Sequence, residues 1–369
     1  MPLHPKPEIK NLKVCLHGGL NWAELMAMGL APEEVIDFSV SSNPFRLSPR
    51  VKKAFNAIPI EYYPDSEATE FRQCLSGKLG LAPDNILAGN GAVELIRLIA
   101  LAYFGRGDCV LITEPTFGEC EVACQIVGAG VYKQYAAAED NFMLRVEKTV
   151  NLIRQRCPKG VFICNPNNPT GQYLSKHEVE MVLDACEDSL LILDEAYIAF
   201  VDEAWSSIDL ISRGNVVIVR SMTKDYALAG LRLGYAIASR EIIDNLRRVR
   251  SPWNVNVIAQ KAGVVALNDT VYLEQCKQKI RQAKQFLIDE LCRIGFTLVP
   301  SKANFFLMKV GNAKAFRATL LRYGILVRDC ASFELPEYIR IAPRTMPECQ
   351  RLIDTIKSLK KEGELSVHV

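Results

Sequence analysis

The chain has 369 residues, 49% hydrophobic and 23% charged, proportions of an ordinary folded protein that exclude a disordered or fibrous one. Its 44 Lys and Arg against 42 Asp and Glu leave a formal charge of +2, too even a balance for a nucleic-acid or membrane-surface binder. Any acidic ligand must therefore be held by local cations, and the length predicts one large domain with a smaller partner.

The first stretch, "MPLHPKPEIKNLKVCLHGG", lacks the apolar core of a signal peptide, and no apolar run is long enough to cross a bilayer, so a cytoplasmic protein is expected. Twelve cysteines in apolar contexts such as "VFICN" and "LDACE", with no CxxC pair and four histidines, read as reduced core thiols and no metal centre. From about residue 85 to 239, strand-forming runs alternate with helical stretches, the pattern of a mostly parallel sheet covered on both faces. The runs are "NILAG", "CVLIT", "VYKQYA", "GVFICN", "LLILDEAY", "VVIVRS" and "GYAIAS". Helical periodicity marks "AVELIRLIALAYF" and "SKHEVEMVLDACE", the latter opened by a capping box of Ser175 and Glu178. After Trp253 a long charged helix, "YLEQCKQKIRQAKQFLIDELCRIG", leads into "FTLVP", "ANFFLMKV", "GILVRD" and "YIRIAP", the mixture of a smaller α+β domain. The expected division is an N-terminal arm, 1–45, joining the small domain, a large domain, 46–250, and the small domain, 251–369.

Chemistry-bearing residues fall at the ends of these runs. "LLILDEAY" places Asp194 at the carboxyl end of a buried strand with Tyr197 just beyond, where open α/β sheets bind ligands. Alone, such an aspartate reads as the cap of the next turn. "GNGAVELIRL" leaves the backbone N–H groups of Gly91, Ala92 and Val93 free at a helix start to hold an anion. It is not a dinucleotide fingerprint, because Glu94 stands where the third glycine is needed. "NPNNPTG" aims Asn168 from a turn, and "SMTKDYALAGLRLGY" gathers Ser221, Thr223, Lys224 and Arg232 just past a strand.

In this order, glycine turn, "EPTFGE", "NPNNPTG", "DEAY", "SMTK" and "GLRLG", the chain resembles the aminotransferase-like, fold type I family of pyridoxal-phosphate enzymes over nearly its whole length. The resemblance implies an α/β fold: a large domain with a mostly parallel seven-stranded sheet and a smaller α+β domain. It implies pyridoxal 5′-phosphate as cofactor, with Lys224 the amine that condenses with its aldehyde and later carries protons. Asp194 would pair with the pyridine nitrogen, and Asn168 and Tyr197 would hydrogen-bond the phenolic oxygen. Phe117 would stack on the ring, where many relatives carry tyrosine. The cofactor phosphate would lie among Ser221, Thr223, Arg232 and the backbone of Gly91, Ala92 and Val93. Tyr63, in "YYPDSEATEFR", matches a position that reaches the cofactor of a neighbouring subunit, which implies a homodimer with shared active sites.

The reaction depends on how the substrate is oriented. "GILVRDCASFELPEYIRIAPRT" offers Arg328, Arg340 and Arg344, and strand alternation turns Arg340 away from Ile339 and Ile341. Arg344 reads equally as a solvated edge charge. More than one arginine points to more than one anion, hence a phosphorylated small-molecule substrate. Within the family the chain looks most like the branch of histidinol-phosphate aminotransferase and threonine-phosphate decarboxylase. "HGG" (His17, Gly18, Gly19), "IDFSVSSNP", "VRDCASF" and "IRIAPRT" favour the decarboxylase, a carbon–carbon lyase. That resemblance implies decarboxylation of O-phosphothreonine or O-phosphoserine to an amino-alcohol phosphate for cobalamin biosynthesis. Arg340 would hold the carboxylate and Arg328 the phosphate, under an arm of His17 to Gly19. Leu20 and Ser41 stand where decarboxylases commonly carry asparagine, which keeps both substrates open. The alternatives are a histidinol-phosphate or related class I/II aminotransferase, and a non-catalytic sensor, which the lack of a basic DNA-binding block disfavours.

Overall fold

Strands buried on both faces need apolar residues at every position, and the seven runs from 85 to 239 supply them. The computed structural model describes residues 3–10, 12, 14–55 and 58–365. In chain order the strands are β1 (Ile36–Asp37), β2 (Ile86–Gly89), β3 (Cys109–Glu114), β4 (Gly130–Tyr135), β5 (Gly160–Cys164) and β6 (Leu190–Asp194). They continue with β7 (Val216–Ser221), β8 (Gly234–Ala238), β9 (Phe306–Lys309), β10 (Ile325–Leu326), β11 (Arg328–Asp329) and β12 (Tyr338–Ile341). The large sheet has the order β2-β8-β7-β6-β5-β3-β4, and all its pairings are parallel except the two made by β8. Each of the seven expected runs forms one of its strands.

The two-residue period of a strand divides the runs between two cores. Leu191 and Leu193 of β6, with Val216 and Ile218 of β7, enter one core. Leu190, Ile192, Val217 and Val219 enter the other. Because β5, β6 and β7 run the same way, Cys164, Asp194 and Ser221 arrive at one edge of the sheet. The reversed β8 sets Gly234 opposite both Gly89 and Ser221. The helix Gly91–Tyr103, which follows β2, therefore starts at that same edge. The fit there is close: a Cβ on Gly234 would lie 2.9 Å from the Ala92 nitrogen and 2.9 Å from the Arg220 carbonyl oxygen.

A further core lies around a three-stranded antiparallel sheet, β11-β12-β9, and a parallel pair, β1-β10. The helices Thr270–Ile294 and Met346–Lys361 cover it with Leu287, Leu291, Leu352 and Ile356. Gly295, at φ 105°, caps the long helix in the left-handed region that glycine favours. The N-terminal arm joins this core through β1 and Phe38. The run "GILVRD" divides at Val327: its first part pairs with β1 and its second with β12. "FTLVP" contributes a single bridge, Leu298 to Met308, rather than a strand.

Packing moves one expected boundary. The helix Val257–Leu267 belongs to the large-sheet core, with Ala259, Ala262 and Ala266 beside Phe71. Its small residues permit that approach, since a Cβ on Gly263 would meet the Phe71 ring at 2.9 Å. The passage to the small core therefore comes after Leu267 rather than at residue 251. None of the cysteines is bonded to another, and Cys157 and Cys292 are exposed rather than in a core. Among the described residues, no helix is long and apolar enough to cross a membrane.

Gly234→Ala should destabilise the fold by about 1–3 kcal/mol, the cost of forcing a methyl group into a filled contact. A urea unfolding midpoint equal to that of the wild type would contradict this packing.

Candidate active site

The edge where β5, β6 and β7 end borders a cavity of about 270 Å³. Its floor is Asp194, 5% exposed, with Oδ1 accepting the Ala196 N–H at 2.9 Å. Burial pushes the Asp194 carboxyl up to about 6, against the opposing pull of that N–H, the Lys224 charge and the Cys164 thiol. A carboxylate so placed calls for a cationic partner. Lys224, three residues beyond β7, lines the cavity with its Nζ 5.6 Å from the centre of the Tyr197 ring. Its backbone is fixed from the arm, for the Lys224 carbonyl accepts the Asn43 N–H at 2.6 Å.

One group of donors fits a phosphate. Ser221 Oγ and Thr223 Oγ1 are 2.6 Å apart. Ala92 and Val93 line the cavity in the first turn of the helix Gly91–Tyr103, where backbone N–H groups lack intrahelical partners. Arg232 lies against Gly91, which has φ 75°; a Cβ there would come within 2.6 Å of the guanidinium. Only glycine suits both that backbone and that contact.

A second cationic group comes from the small sheet. Arg328 and Arg340 are register partners on β11 and β12, and both line the cavity. Arg340 donates through Nη1 to Asn168 Oδ1 and through Nη2 to the Ser39 carbonyl at 2.9 Å, while its Nε is buried with no partner among the described residues. Arg328 donates through Nη2 to the Leu16 carbonyl at 2.7 Å and to Ser332 Oγ at 2.5 Å. Burial, and then the neighbouring Arg340, lower the Arg328 pKa. The lining thus carries Lys224, Arg232, Arg328 and Arg340 against one carboxylate, Asp194, a field suited to anionic ligands.

Most residues expected from the sequence meet here: His17, Gly18, Ser41, Ala92, Val93, Phe117, Asn168, Asp194, Tyr197, Ser221, Thr223, Lys224, Arg232, Arg328 and Arg340 line one cavity. Three do not. Gly19 lies behind it, donating its N–H to Ser39 Oγ at 2.8 Å. Tyr63 is exposed and stacks on Trp253 with centroids 4.3 Å apart. Arg344 turns toward Glu348, 3.8 Å away, because Thr345 and Glu348 cap the helix Met346–Lys361 and draw this segment off the sheet. Cys15, Leu16, Cys164, Ser332 and Phe333 also line the cavity and were not singled out from the sequence. For Cys164, the register partner of Asp194, the signal was available: it ends the strand next to the one that Asp194 ends. Leu16 acts through its backbone, which residue type does not reveal.

A family model for class I and II aminotransferases matches residues 33–356. The chain belongs to this family. Its cofactor is pyridoxal 5′-phosphate, and the geometry fits that molecule: a buried carboxylate with no ion-pair partner among the described residues, an amine, and a phosphate cradle share one cavity. The chain is 34% identical to histidinol-phosphate aminotransferase of Symbiobacterium thermophilum over 340 residues, covering 90% of this chain and 93% of that one. It superposes on histidinol-phosphate aminotransferase from Sinorhizobium meliloti in complex with pyridoxal-5′-phosphate with a TM-score of 0.88, at 24% identity and 97% coverage of both chains. L-threonine-O-3-phosphate decarboxylase from Porphyromonas gingivalis gives a TM-score of 0.76 at 25% identity, covering 88% of this chain and 99% of that one.

These likenesses correct the expectation of an O-phospho-amino-acid decarboxylase serving cobalamin biosynthesis. The protein is a pyridoxal-phosphate-dependent enzyme of the aminotransferase fold, and its relatives point to amino-group transfer rather than carbon–carbon cleavage. The physical reason lies in the motifs that misled. "HGG", "VRDCASF" and "IRIAPRT" build the arm and the two cavity arginines, and such parts serve any phosphorylated amine whichever bond is broken.

In the cofactor-free protein the folded pKa of Asp194, about 6, exceeds its ordinary 3.8. Its contribution to stability is therefore complete below that ordinary value and lost as pH rises through about 6. Asp194→Asn should raise the melting temperature of the cofactor-free protein at about pH 7.5 and leave it nearly unchanged at about pH 4. The gain is bounded by about 3 kcal/mol, since each tenfold weakening of an acid on folding is worth about 1.4 kcal/mol. A gain that is equal at both pH values, or absent at both, would contradict the burial of this carboxylate.

Proposed function

We propose that the protein is an aminotransferase that takes the amino group of a phosphorylated amine, histidinol phosphate foremost, and passes it to a 2-oxo dicarboxylate such as 2-oxoglutarate. The observation that carries this reading is the pairing of Arg328 with Arg340 across β11 and β12, in the same cavity as Lys224 and Asp194. Two adjacent guanidinium groups suit the phosphate of the donor and, in turn, the carboxylates of the acceptor. The likeness to histidinol-phosphate aminotransferases over nine-tenths of the chain supports the choice of donor.

Pyridoxal phosphate supplies an electron sink for the bond broken at the carbon bearing the amino group. Asp194 would stabilise positive charge on the ring nitrogen. Lys224, whose amine lines the cavity, would hold the cofactor and would move the proton at the substrate carbon. The Asn168 carbonyl accepts from Arg340, which leaves its NH₂ to donate; with the Tyr197 hydroxyl it would hold the phenolic oxygen. The anion-binding arginine and the cofactor are thereby joined through one amide. Phe117 would cover the ring face, and Ser221, Thr223, Arg232 and the amides of Ala92 and Val93 would hold the phosphate. Ile60, Tyr62, Tyr63 and Trp253 are exposed in one chain, with Tyr63 stacked on Trp253, and two copies would associate through these residues, Tyr63 serving the cofactor phosphate of the other copy.

The purified holoenzyme should form glutamate from histidinol phosphate and 2-oxoglutarate. Arg328→Met should raise KM for both by about 10- to 100-fold, since a hydrogen bond to a charged group is worth about 1.5–3 kcal/mol. Lys224→Ala should abolish turnover and the absorbance of the lysine-linked cofactor. Failure to form glutamate, together with CO₂ release from O-phosphothreonine without an acceptor, would refute the proposal.

A further inference from the structure

We infer that Cys15, His17 and Glu119 form a binding site for a divalent cation of the zinc class, and that a cation there clamps the N-terminal arm over the substrate-binding arginine. The thiol of Cys15, the imidazole of His17 and the carboxylate of Glu119 have ligand atoms all within 4.8 Å of one another. His17 Nε2 is already 3.0 Å from Glu119 Oε1. Cys15 Sγ sits on the backbone of Gly118, where a Cβ would come within 2.8 Å of it, so the thiol rests at the start of the helix that presents Glu119. His17 and Glu119 are 102 positions apart, which is why no metal-ligand spacing appears in the sequence.

One thiolate, one imidazole and one carboxylate make a donor set that zinc accepts in tetrahedral geometry, with the fourth position left to water. The two anionic ligands balance the charge of the ion. Arg97 holds the other carboxylate oxygen, Oε2, at 3.1 Å, which orients Oε1 toward the site as an outer partner does in built metal centres. Burial, with the carboxylates of Glu119, Glu114 and Glu121, pushes the Cys15 thiol up against the opposite pull of Arg328. Binding therefore releases the thiol proton to solvent as the sulfur–metal bond forms.

Cys15 and His17 flank Leu16, whose carbonyl accepts from Arg328 Nη2 at 2.7 Å. Fixing both neighbours to one ion fixes that carbonyl on the guanidinium, where it competes with an anionic substrate. The far end of the arm is already held by the Gly19 N–H on Ser39 Oγ at 2.8 Å. The competition rests on the role proposed for Arg328; the binding of the cation does not.

The test is a cobalt titration of the purified holoenzyme, followed by the visible d–d absorbance of tetrahedral Co²⁺. One Co²⁺ per chain should bind and be displaced by Zn²⁺. Cys15→Ser and His17→Ala should each weaken binding at least tenfold, whereas Cys157→Ser and Cys292→Ser, exposed thiols elsewhere, should not. Retained cofactor absorbance shows that each variant is folded. The same titration in wild type, Cys15→Ser and His17→Ala, or no tetrahedral spectrum in the wild type, overturns the site. Zn²⁺ should raise the apparent KM for an anionic substrate in the wild type and not in Cys15→Ser. An unchanged KM with the ion bound overturns the clamp alone.

Discussion

A carboxylate buried at the tip of β6, with a backbone N–H as its hydrogen-bonding partner, is the constraint on which the rest of the structure depends. Charge in that place is costly until a cation reaches it. The large sheet makes the place and leaves it to a ligand. Parallel β5, β6 and β7 end together, the reversed β8 brings the helix Gly91–Tyr103 to the same edge, and the turn after β7 delivers Lys224. Glu195, the next residue, shows the contrast: it is buried too, but pairs with Arg220 at 2.8 Å and belongs to the scaffold.

The two sheets divide the work. The large sheet and its first helix carry the hydroxyls, amides and Arg232 that suit a cofactor phosphate, while β11 and β12 of the small sheet carry the arginines that suit a substrate anion. Arg340 connects the two sets through Asn168, and through the Ser39 carbonyl it reaches the segment that follows β1. The arm closes the arrangement at Arg328. On the proposed reading, a substrate anion at Arg328 would take over hydrogen bonds that the Leu16 carbonyl and Ser332 Oγ accept.

The large sheet was legible in the sequence because strands buried on both faces require unbroken apolar runs, and few other structures do. That Asp194, Ser221, Thr223 and Lys224 would meet at one cavity was legible because they end or follow those runs directly. Partner choice between distant strands was not, so "GILVRD" gave no sign that Val327 separates two sheets. In "IRIAPRT" alternation already separated Arg340 from its apolar neighbours, and along β12 it turns that arginine to the cavity; Arg344 stayed open between cavity and edge, because the capping box just beyond, which turns it away, was not read from the sequence. Nothing in the chain order joins Cys15 and His17 to Glu119. The reaction itself was misread, because residues suited to a phosphorylated amine are indifferent to the bond that breaks beside it.

The central claim is that this cavity exchanges an amino group. Holoenzyme mixed with a slight excess of histidinol phosphate, with no 2-oxo acid present, tests it in a single turnover. The account predicts loss of the lysine-linked cofactor absorbance in proportion to enzyme, replaced by that of the amine form, and full recovery when 2-oxoglutarate is added. A cofactor spectrum that histidinol phosphate leaves unchanged would contradict it.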